Sequence, residues 1–204
     1  MPRPDPDPAA IPATTSAAAL EQSRRDKLNR LKALGVDPWG QRLDNVMQIA
    51  TVRGQGDALE KDPAAANSEA GPQVRVAGRI MLLRSAGSLV FINIADRTGR
   101  IQIMLGKKQV GPEIWQTVAC LDLGDLIGVD GRLGYSKTGE MTVFASGLHF
   151  LTKSLATPPD KFHGLVDPEL RQRMRYLDLI HGEGVRDRFV ARSRIVEAVR
   201  RVLA

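Results

Sequence analysis

The sequence predicts a mainly β domain of five strands with helices before and after it. Two stretches support this prediction most strongly, because apolar and polar residues alternate in both: 90–105, around a short polar turn, and 126–154, around a second turn at 137–139. Alternation with a period of two is typical of strands that bury one face. A β-branched segment at 74–84 adds the first strand, so the chain carries one single strand and two hairpins.

A helical pattern between the third and fourth strands distinguishes two small barrel folds. Apolar residues recur there at helical spacing after a Gly-Pro pair, so we expect a helix near 112–121. Five strands with such a helix follow the order of an OB-fold, a Greek-key barrel, whereas an SH3-like barrel, the alternative, does not need the helix. We therefore expect an OB-fold barrel over residues 74–155, with a bend or bulge at Gly78 in its first strand.

Helices and linkers are expected on both sides of the barrel. Residues 1–15 are rich in Pro and Ala and are expected to form a disordered tail. Residues 16–73 begin with an amphipathic helix pattern and continue as a linker by composition. Residues 156–184 are expected to form a linker that becomes helical, and 185–204 a helix whose apolar stripe requires a partner to cover it.

The composition favours a soluble protein with a polyanionic partner. The net charge is +6 and the pI is near 9.8, a balance that suits nucleic acid without requiring it. We expect a cytoplasmic protein with no membrane span, because no apolar run reaches roughly 20 residues, no secretory signal is recognisable, and the lone Cys120 excludes an intrachain disulfide. The histidines lack metal-ligand spacing, and no nucleophile–base set occurs, so we expect no metal site and no catalytic residue in this chain.

The polar face of the first hairpin, FINIADRTGRIQIM over 91–104, contains a phenylalanine. The four isoleucines of the hairpin fall on the opposite face, because side chains alternate between the two faces of a strand. If Ala95 pairs with Arg100 across the turn, Phe91 and Gln102 become diagonal neighbours on the polar face. The hairpin therefore places an aromatic ring beside an amide.

An aromatic ring beside an amide can recognise an unpaired nucleotide base. Phe91 would stack on the flat face of the base, and Gln102 would supply a donor and an acceptor to its edge. In an OB-fold this face of strands 2 and 3 binds oligonucleotides, so we expect both side chains to face solvent. The alternative is that Phe91 is a half-buried residue covered by a loop.

Several segments of the chain resemble class II lysyl-tRNA synthetases. They include VAGRI, RSAGSLVFINIADRTGRIQIM, LDLGDLIGVDGRL and SKTGEMTV, and the similarity runs in register from about Val74 to the end, more loosely over 24–39. The most specific segment reads LTKSL, then KFHGLVDPELRQRMRYLDLI. It distinguishes the lysine enzymes from the related aspartate and asparagine enzymes, which share the barrel.

The resemblance implies that the barrel binds the anticodon of a tRNA for lysine. Phe91 would stack on the central uridine, and Gln102 would read its edge. Arg79 would contact the same base or its neighbour, and Glu140 would lie beside another anticodon base, although the residues alone suggest a solvated strand arginine and a turn carboxylate. Further basic residues are candidates for phosphate contacts: Arg84, Arg24 and Arg25.

The resemblance also implies an activity for the parent protein. The chain would be the N-terminal part of a lysine–tRNA ligase, a homodimer that attaches lysine to tRNA with ATP and magnesium. Residues 185–204 would begin a truncated class II catalytic domain at its motif 1 helix, so this chain itself would hold no cofactor. Two alternatives remain: a stand-alone OB-fold module that binds single-stranded nucleic acid, and an interaction or dimerisation fragment.

Overall fold

Five strands close into a barrel, as the alternation of apolar and polar residues predicts. The strands are β1 Gln73–Ala86, β2 Leu89–Ala95, β3 Arg100–Gly106, β4 Leu126–Tyr135 and β5 Met141–Thr152. Their order around the barrel is β1-β2-β3-β5-β4, and β4 pairs again with β1. Neighbouring strands run antiparallel except for β3 and β5, which are parallel. The predicted OB-fold is thereby confirmed.

The computed structural model describes residues 17–57, 59, 71–159, 165 and 167–203, in two units that divide after Thr157. The barrel and the helices before it belong to the first unit, and three further helices belong to the second. The predicted disordered tail, 1–15, lies outside the described residues. The domain bounds that the sequence suggests stay a prediction.

Three helices accompany the barrel in the described part of the first unit. They are α1 Ala17–Ala33, α2 Ile49–Asp57 and α3 Lys107–Val118. The helix expected between the third and fourth strands is α3, but it begins earlier than predicted and kinks at Gly111, whose φ is 79°. The second helix, α2, falls in a region assigned to a linker by composition. It is capped by the first hairpin, because the Asp96 carboxylate accepts a hydrogen bond from the Ile49 amide at 2.9 Å.

The barrel core contains the isoleucines that the hairpin alternation assigns to one face. Side chains on this face of β2 and β3 are almost fully buried: Ile92, Ile94, Ile101 and Ile103. The first helix packs its own apolar side against the same core through Leu31. Burial of this face therefore fixes which side of the hairpin remains on the outside of the barrel.

The irregularity in β1 lies three residues beyond the predicted position. Gly78 pairs in regular register with Ile127, and the register with β2 shifts between Ile80 and Leu82 instead. Gly78 serves close packing, because a Cβ there would lie 2.6 Å from the backbone oxygen of Ala95. The expectation of a bulge at Gly78 was therefore wrong. The glycine instead leaves room for the backbone at the end of β2.

The described part of the second unit contains α4 Pro168–Arg173, α5 Arg175–His181 and α6 Val185–Leu203. Asp167 caps α4, because its carboxylate accepts a hydrogen bond from the Glu169 amide at 2.9 Å. Much of α6 presents apolar side chains to solvent. No helix within the described ranges is both long and apolar enough to cross a membrane.

The amides of α6 are expected to exchange faster with solvent than those of the barrel strands. Val199 is 50% exposed and Ile195 is 64% exposed, so little apolar burial opposes fraying of this helix. Hydrogen exchange followed residue by residue measures the difference. Protection of Val196 and Val199 equal to that of β2, in a protein shown to be monomeric, would contradict this expectation.

Candidate nucleic-acid interface

An open groove of about 1080 Å³ crosses the outer face of the barrel. All five strands contribute to it, together with the loop that joins β4 to β5. Its lining includes Gln73, Arg84, Ser85, Ala86, Leu89, Phe91, Gln102, Met104, Gly106, Gln109, Arg132, Ser136, Lys137, Thr138, Glu140, Phe144, Ala145 and Ser146. Cations outnumber carboxylates along the groove.

The predicted register of the first hairpin is confirmed. Ala95 pairs with Arg100 across the turn, and Phe91 pairs with Met104. The turn is held by the Asp96 carboxylate, which accepts a hydrogen bond from the Gly99 amide at 2.9 Å. Phe91 is half-buried and lines the groove. The structure therefore leaves its ring accessible from the groove.

A single row of side chains runs across the sheet through Phe91. Arg84 lies opposite Phe91, and Met104 lies on the other side of Phe91. Met104 pairs with Phe144 of β5, which pairs in turn with Arg132 of β4. Paired residues share a face, so the row reads arginine, phenylalanine, methionine, phenylalanine, arginine. Both arginines are exposed. The groove thus has an apolar centre between two cations, and Phe144 is a residue that the sequence analysis missed.

The Gln102 amide is buried beneath this row rather than facing solvent as expected. Its side chain is 4% exposed because β5 lies beside it. The amide nitrogen Nε2 donates to Thr142 Oγ1 at 2.9 Å, and Thr142 Oγ1 donates to the backbone oxygen of Glu140 at 2.8 Å. A hydroxyl has one hydrogen, so Thr142 must accept from Gln102, and this fixes which end of the amide faces it. The carbonyl end, Oε1, points away from Thr142.

Glu140 lies at the rim of the groove, at the end of the turn that joins β4 to β5. The turn is closed by the Ser136 hydroxyl, which accepts a hydrogen bond from the Glu140 amide at 3.1 Å. The Glu140 side chain is exposed and lines the groove, as does that of Lys137. Phe91, Gln102 and Glu140 therefore border one groove, and Thr142 connects the last two through hydrogen bonds.

Arg79 does not line this groove. It pairs with Ala95, which lies four residues after Phe91 in β2, and with Leu126 of β4. Its guanidinium donates a hydrogen bond to the Gly124 backbone oxygen at 2.8 Å. Arg84 occupies the position opposite Phe91 instead. The pairing of Arg84 with Phe91 follows from the short turn between Ala86 and Leu89, whereas the register shift between Ile80 and Leu82 moves Arg79 by only one position along β2.

The two arginines of α1 that were candidates for phosphate contacts lie elsewhere in the first unit. Arg24 is 7% exposed and donates to the backbone oxygens of Leu123 and Ser154, at 3.0 Å and 2.8 Å. Arg25 pairs with Glu21 on the surface of the same helix at 2.7 Å. Neither residue lines the groove. The two hydrogen bonds of Arg24 hold the loop after α3 against the end of β5. Because Arg24 is buried, a contact with a phosphate is not favoured.

Comparison with known proteins agrees with the barrel fold. Residues 74–151 match the family described as OB-fold nucleic acid binding domain. The chain is 43% identical over 180 residues to a lysine–tRNA ligase of Enterococcus faecalis, covering 88% of this chain and 36% of that protein. It is 42% identical over 195 residues to the lysine–tRNA ligase of Azoarcus sp., covering 95% of this chain and 38% of that protein.

These relatives are all much longer than the present chain. The lysine–tRNA ligase of Bacillus subtilis is 41% identical over 182 residues, and again the match covers 89% of this chain but 36% of the relative. The chain thus spans little more than a third of the curated relatives it matches. Residues 74–151 therefore form an OB-fold barrel that matches a nucleic acid binding family, within a chain that is similar to one part of lysine–tRNA ligases.

Proposed function

We propose that this chain binds the anticodon loop of a tRNA for lysine, as the anticodon-binding part of a lysine–tRNA ligase. The observation that carries the proposal is the Gln102 amide, which is held in one orientation by Thr142 and lies diagonal to Phe91 on the outer face of the barrel. The aromatic ring supplies affinity for a base, and the fixed amide supplies selectivity among bases.

Stacking on Phe91 supplies affinity for the central base. The ring lies in the groove beside Met104, so a base that enters is in contact with apolar atoms on one side. Stacking of one base on an aromatic side chain contributes about 1–3 kcal/mol to binding. Every base has a flat face, so this contact alone does not select a sequence.

The orientation of the Gln102 amide favours uridine over cytidine. Thr142 holds the Nε2 end, so Oε1 and the second amide hydrogen remain for a base. Uridine presents a ring N3–H donor beside carbonyl acceptors and matches this pair of groups. Cytidine presents an N3 acceptor at the same place, which would face the Oε1 acceptor. A buried amide that cannot turn freely imposes this difference, and loops are where RNA exposes such edges.

Charged groups around the groove suit the RNA backbone and a second base. Arg84, Arg132 and Lys137 are exposed at its border and can neutralise phosphates. Glu140 would repel a phosphate, so its carboxylate suits an N–H donor on the edge of another anticodon base. Arg79, Arg24 and Arg25 are not part of the proposed interface, because they do not line the groove.

The proposal extends to the remainder of the chain and to its parent protein. Residues 74–155 would be the anticodon-binding domain, and residues 16–73 would be the helix and linker that precede it. Residues 156–184 would form a linker toward a catalytic domain, which would begin with residues 185–204. The parent would be a cytoplasmic homodimer that attaches lysine to tRNA with ATP and magnesium. Similarity to lysine–tRNA ligases over about nine-tenths of this chain supports this assignment.

The chain alone is expected to catalyse no lysine-dependent exchange between ATP and pyrophosphate. The chain spans little more than a third of the lysine–tRNA ligases that it matches, and we expect the catalytic residues to belong to the part of those proteins that it does not cover. The measurement is isotope exchange with the purified chain, and a lysine–tRNA ligase such as that of Bacillus subtilis is the positive control. Exchange above background would contradict this proposal.

Sequence selectivity in RNA binding tests the proposed function against the stand-alone alternative. The purified chain is titrated at fixed salt with a lysine anticodon stem-loop, with the same stem-loop carrying a central cytidine, and with a single-stranded homopolymer. We expect the lysine stem-loop to bind most tightly. Equal affinity for all three would favour an OB-fold module without sequence preference, and no binding to any would reject both.

A further inference from the structure

A second aromatic ring, Phe144 of β5, lines the groove on the far side of Met104 from Phe91. We propose that Phe144 stacks on a second base, adjacent in the RNA to the base on Phe91, so that the groove holds two successive unpaired nucleotides. The inference rests on the proposed function, and it adds a stacking residue that the sequence analysis did not single out.

The positions of the two rings set the geometry of the bound RNA. Phe91 and Phe144 pair with Met104 from opposite sides, so two strand spacings, about 10 Å, separate them along the row. Bases stacked on each other in a helix rise by only about 3.4 Å per nucleotide. The two bases must therefore be splayed apart, as bases in single-stranded loops can be when they stack on protein side chains.

Gln102 lies between the two rings. It is diagonal to Phe91 across β2 and β3, and diagonal to Phe144 across β3 and β5, because its own partner in β5 is Thr142. A base stacked on either ring would therefore have Gln102 as a diagonal neighbour. A base on Phe144 would also lie near Glu140, which is two residues before Thr142 at the rim of the groove.

A glycine makes room for the Phe144 ring on the barrel surface. Gly134 of β4 pairs with Thr142, and a Cβ at Gly134 would lie 3.0 Å from Cε2 of Phe144. The ring therefore rests against the bare backbone of β4. Arg132, which pairs with Phe144, has one guanidinium nitrogen bound to the Gly71 oxygen at 3.0 Å. The arginine is thus held beside the ring, where its remaining N–H groups can reach a phosphate.

A purely structural role for Phe144 makes a different prediction from a stacking role. A ring that only covers the surface of β4 would lower stability when removed and would affect all RNAs equally. A stacking ring loses its effect when the base that it contacts is absent from the RNA. The two roles can therefore be separated by changing the protein and the RNA together.

The experiment combines protein variants of the full chain with stem-loops that lack one base. Phe144→Ala, Phe91→Ala and the unchanged chain are titrated against the intact lysine stem-loop and against three stem-loops with an abasic site at one anticodon position each. Trp39→Ala is the matched control, because Trp39 is an aromatic residue 47% exposed outside the groove. Phe144→Leu retains apolar volume and replaces Phe144→Ala if that variant melts below the assay temperature.

We expect Phe144→Ala to weaken binding of the intact stem-loop roughly 5- to 150-fold, the range for one stacked base. That loss disappears when one base beside the central position is absent, and it persists when the central base is absent. Phe91→Ala shows the reverse pattern, and Trp39→Ala changes neither. A Phe144 loss that is negligible, is the same on every stem-loop, or disappears with the central base overturns the inference. If the unchanged chain binds no stem-loop, the proposed function fails, and the inference fails with it.

Discussion

Replacing Lys153 by methionine is expected to lower the free energy of unfolding by about 3–5 kcal/mol, because it leaves a buried carboxylate without its cation. The Lys153 and Asp125 side chains are both 0% exposed, and their charged atoms lie 2.8 Å apart. Methionine has nearly the length of the lysine stem, so the variant removes the charge with little change in packed volume.

Three hydrogen bonds from Lys153 join the loop after α3 to the end of β5. The ammonium donates to the Cys120 backbone oxygen at 2.9 Å, to Asp122 at 2.6 Å and to Asp125 at 2.8 Å. Asp125 also accepts from the backbone amides of Ser154 and Asp122, both at 2.8 Å. Burial raises the pKa of the Asp125 carboxyl, and the Lys153 cation opposes this effect. Without Lys153, the burial cost of the carboxylate is no longer offset.

Urea unfolding of Lys153→Met and of a matched lysine variant measures this loss. Lys27→Met is the control, because Lys27 also pairs with Asp122, at 2.6 Å, but its side chain is 28% exposed. Water reaches this half-buried pair and screens it, so the control is expected to lose less stability than Lys153→Met. Equal losses for the two variants, or a loss below about 1 kcal/mol for Lys153→Met, would contradict this account of the cluster.

The alternation of residues predicted the first hairpin to the level of individual pairs. Its strands are adjacent in sequence, so the four-residue turn and the buried isoleucines leave only one register for β2 and β3. In that register Phe91 and Gln102 are diagonal neighbours. Phe144 was missed for the opposite reason. It also lies on the outer face of its strand, but β5 reaches β3 through a parallel pairing with no turn to define it. A local pattern gives the face of a residue without giving its neighbours on a distant strand.

Long-range contacts explain the other differences between prediction and structure. Helix α2 was not expected because its cap, Asp96, is 47 residues away in the first hairpin. Arg24 was considered for phosphate contact because it lies on a basic helix, but its carbonyl partners come from the loop after α3 and the end of β5. The burial of Gln102 depends likewise on β5. In each case, the partner that determines the contact lies far away in the sequence, so the spacing of residues does not reveal it.

Replacing Phe91 by alanine is expected to weaken binding of the lysine anticodon stem-loop by about 1–3 kcal/mol, the loss of one stacked base. The ring lies half-buried in the groove, so the change in stability is expected to be smaller than for a core residue. Ile94→Ala is the matched control on the opposite face of β2, where the side chain is 0% exposed. It is expected to cost about 2–5 kcal/mol of stability while leaving the affinity of the folded fraction unchanged.

Variants of the Gln102 and Thr142 pair separate affinity from selectivity. Gln102→Ala is expected to cost about 1 kcal/mol in binding the lysine stem-loop, the net contribution of one neutral hydrogen bond, and also some stability because the side chain is buried. Its larger effect is lost discrimination against a central cytidine. Thr142→Val keeps the shape of Thr142 and removes the hydroxyl that orients the amide, so discrimination is expected to fall with little change in affinity for uridine.

Titrations of every variant against the uridine and cytidine stem-loops at fixed salt, each with a melting curve, distinguish the roles of the two faces of β2. A stacking Phe91 affects binding in the folded protein, whereas a core Ile94 affects the folded fraction alone. If Phe91→Ala unfolds the barrel while the remaining folded protein binds normally, Phe91 is a core residue and the groove is not the base-binding face. If Thr142→Val discriminates as well as the unchanged chain, the amide is oriented by something other than the hydroxyl, and the uridine selectivity requires another origin.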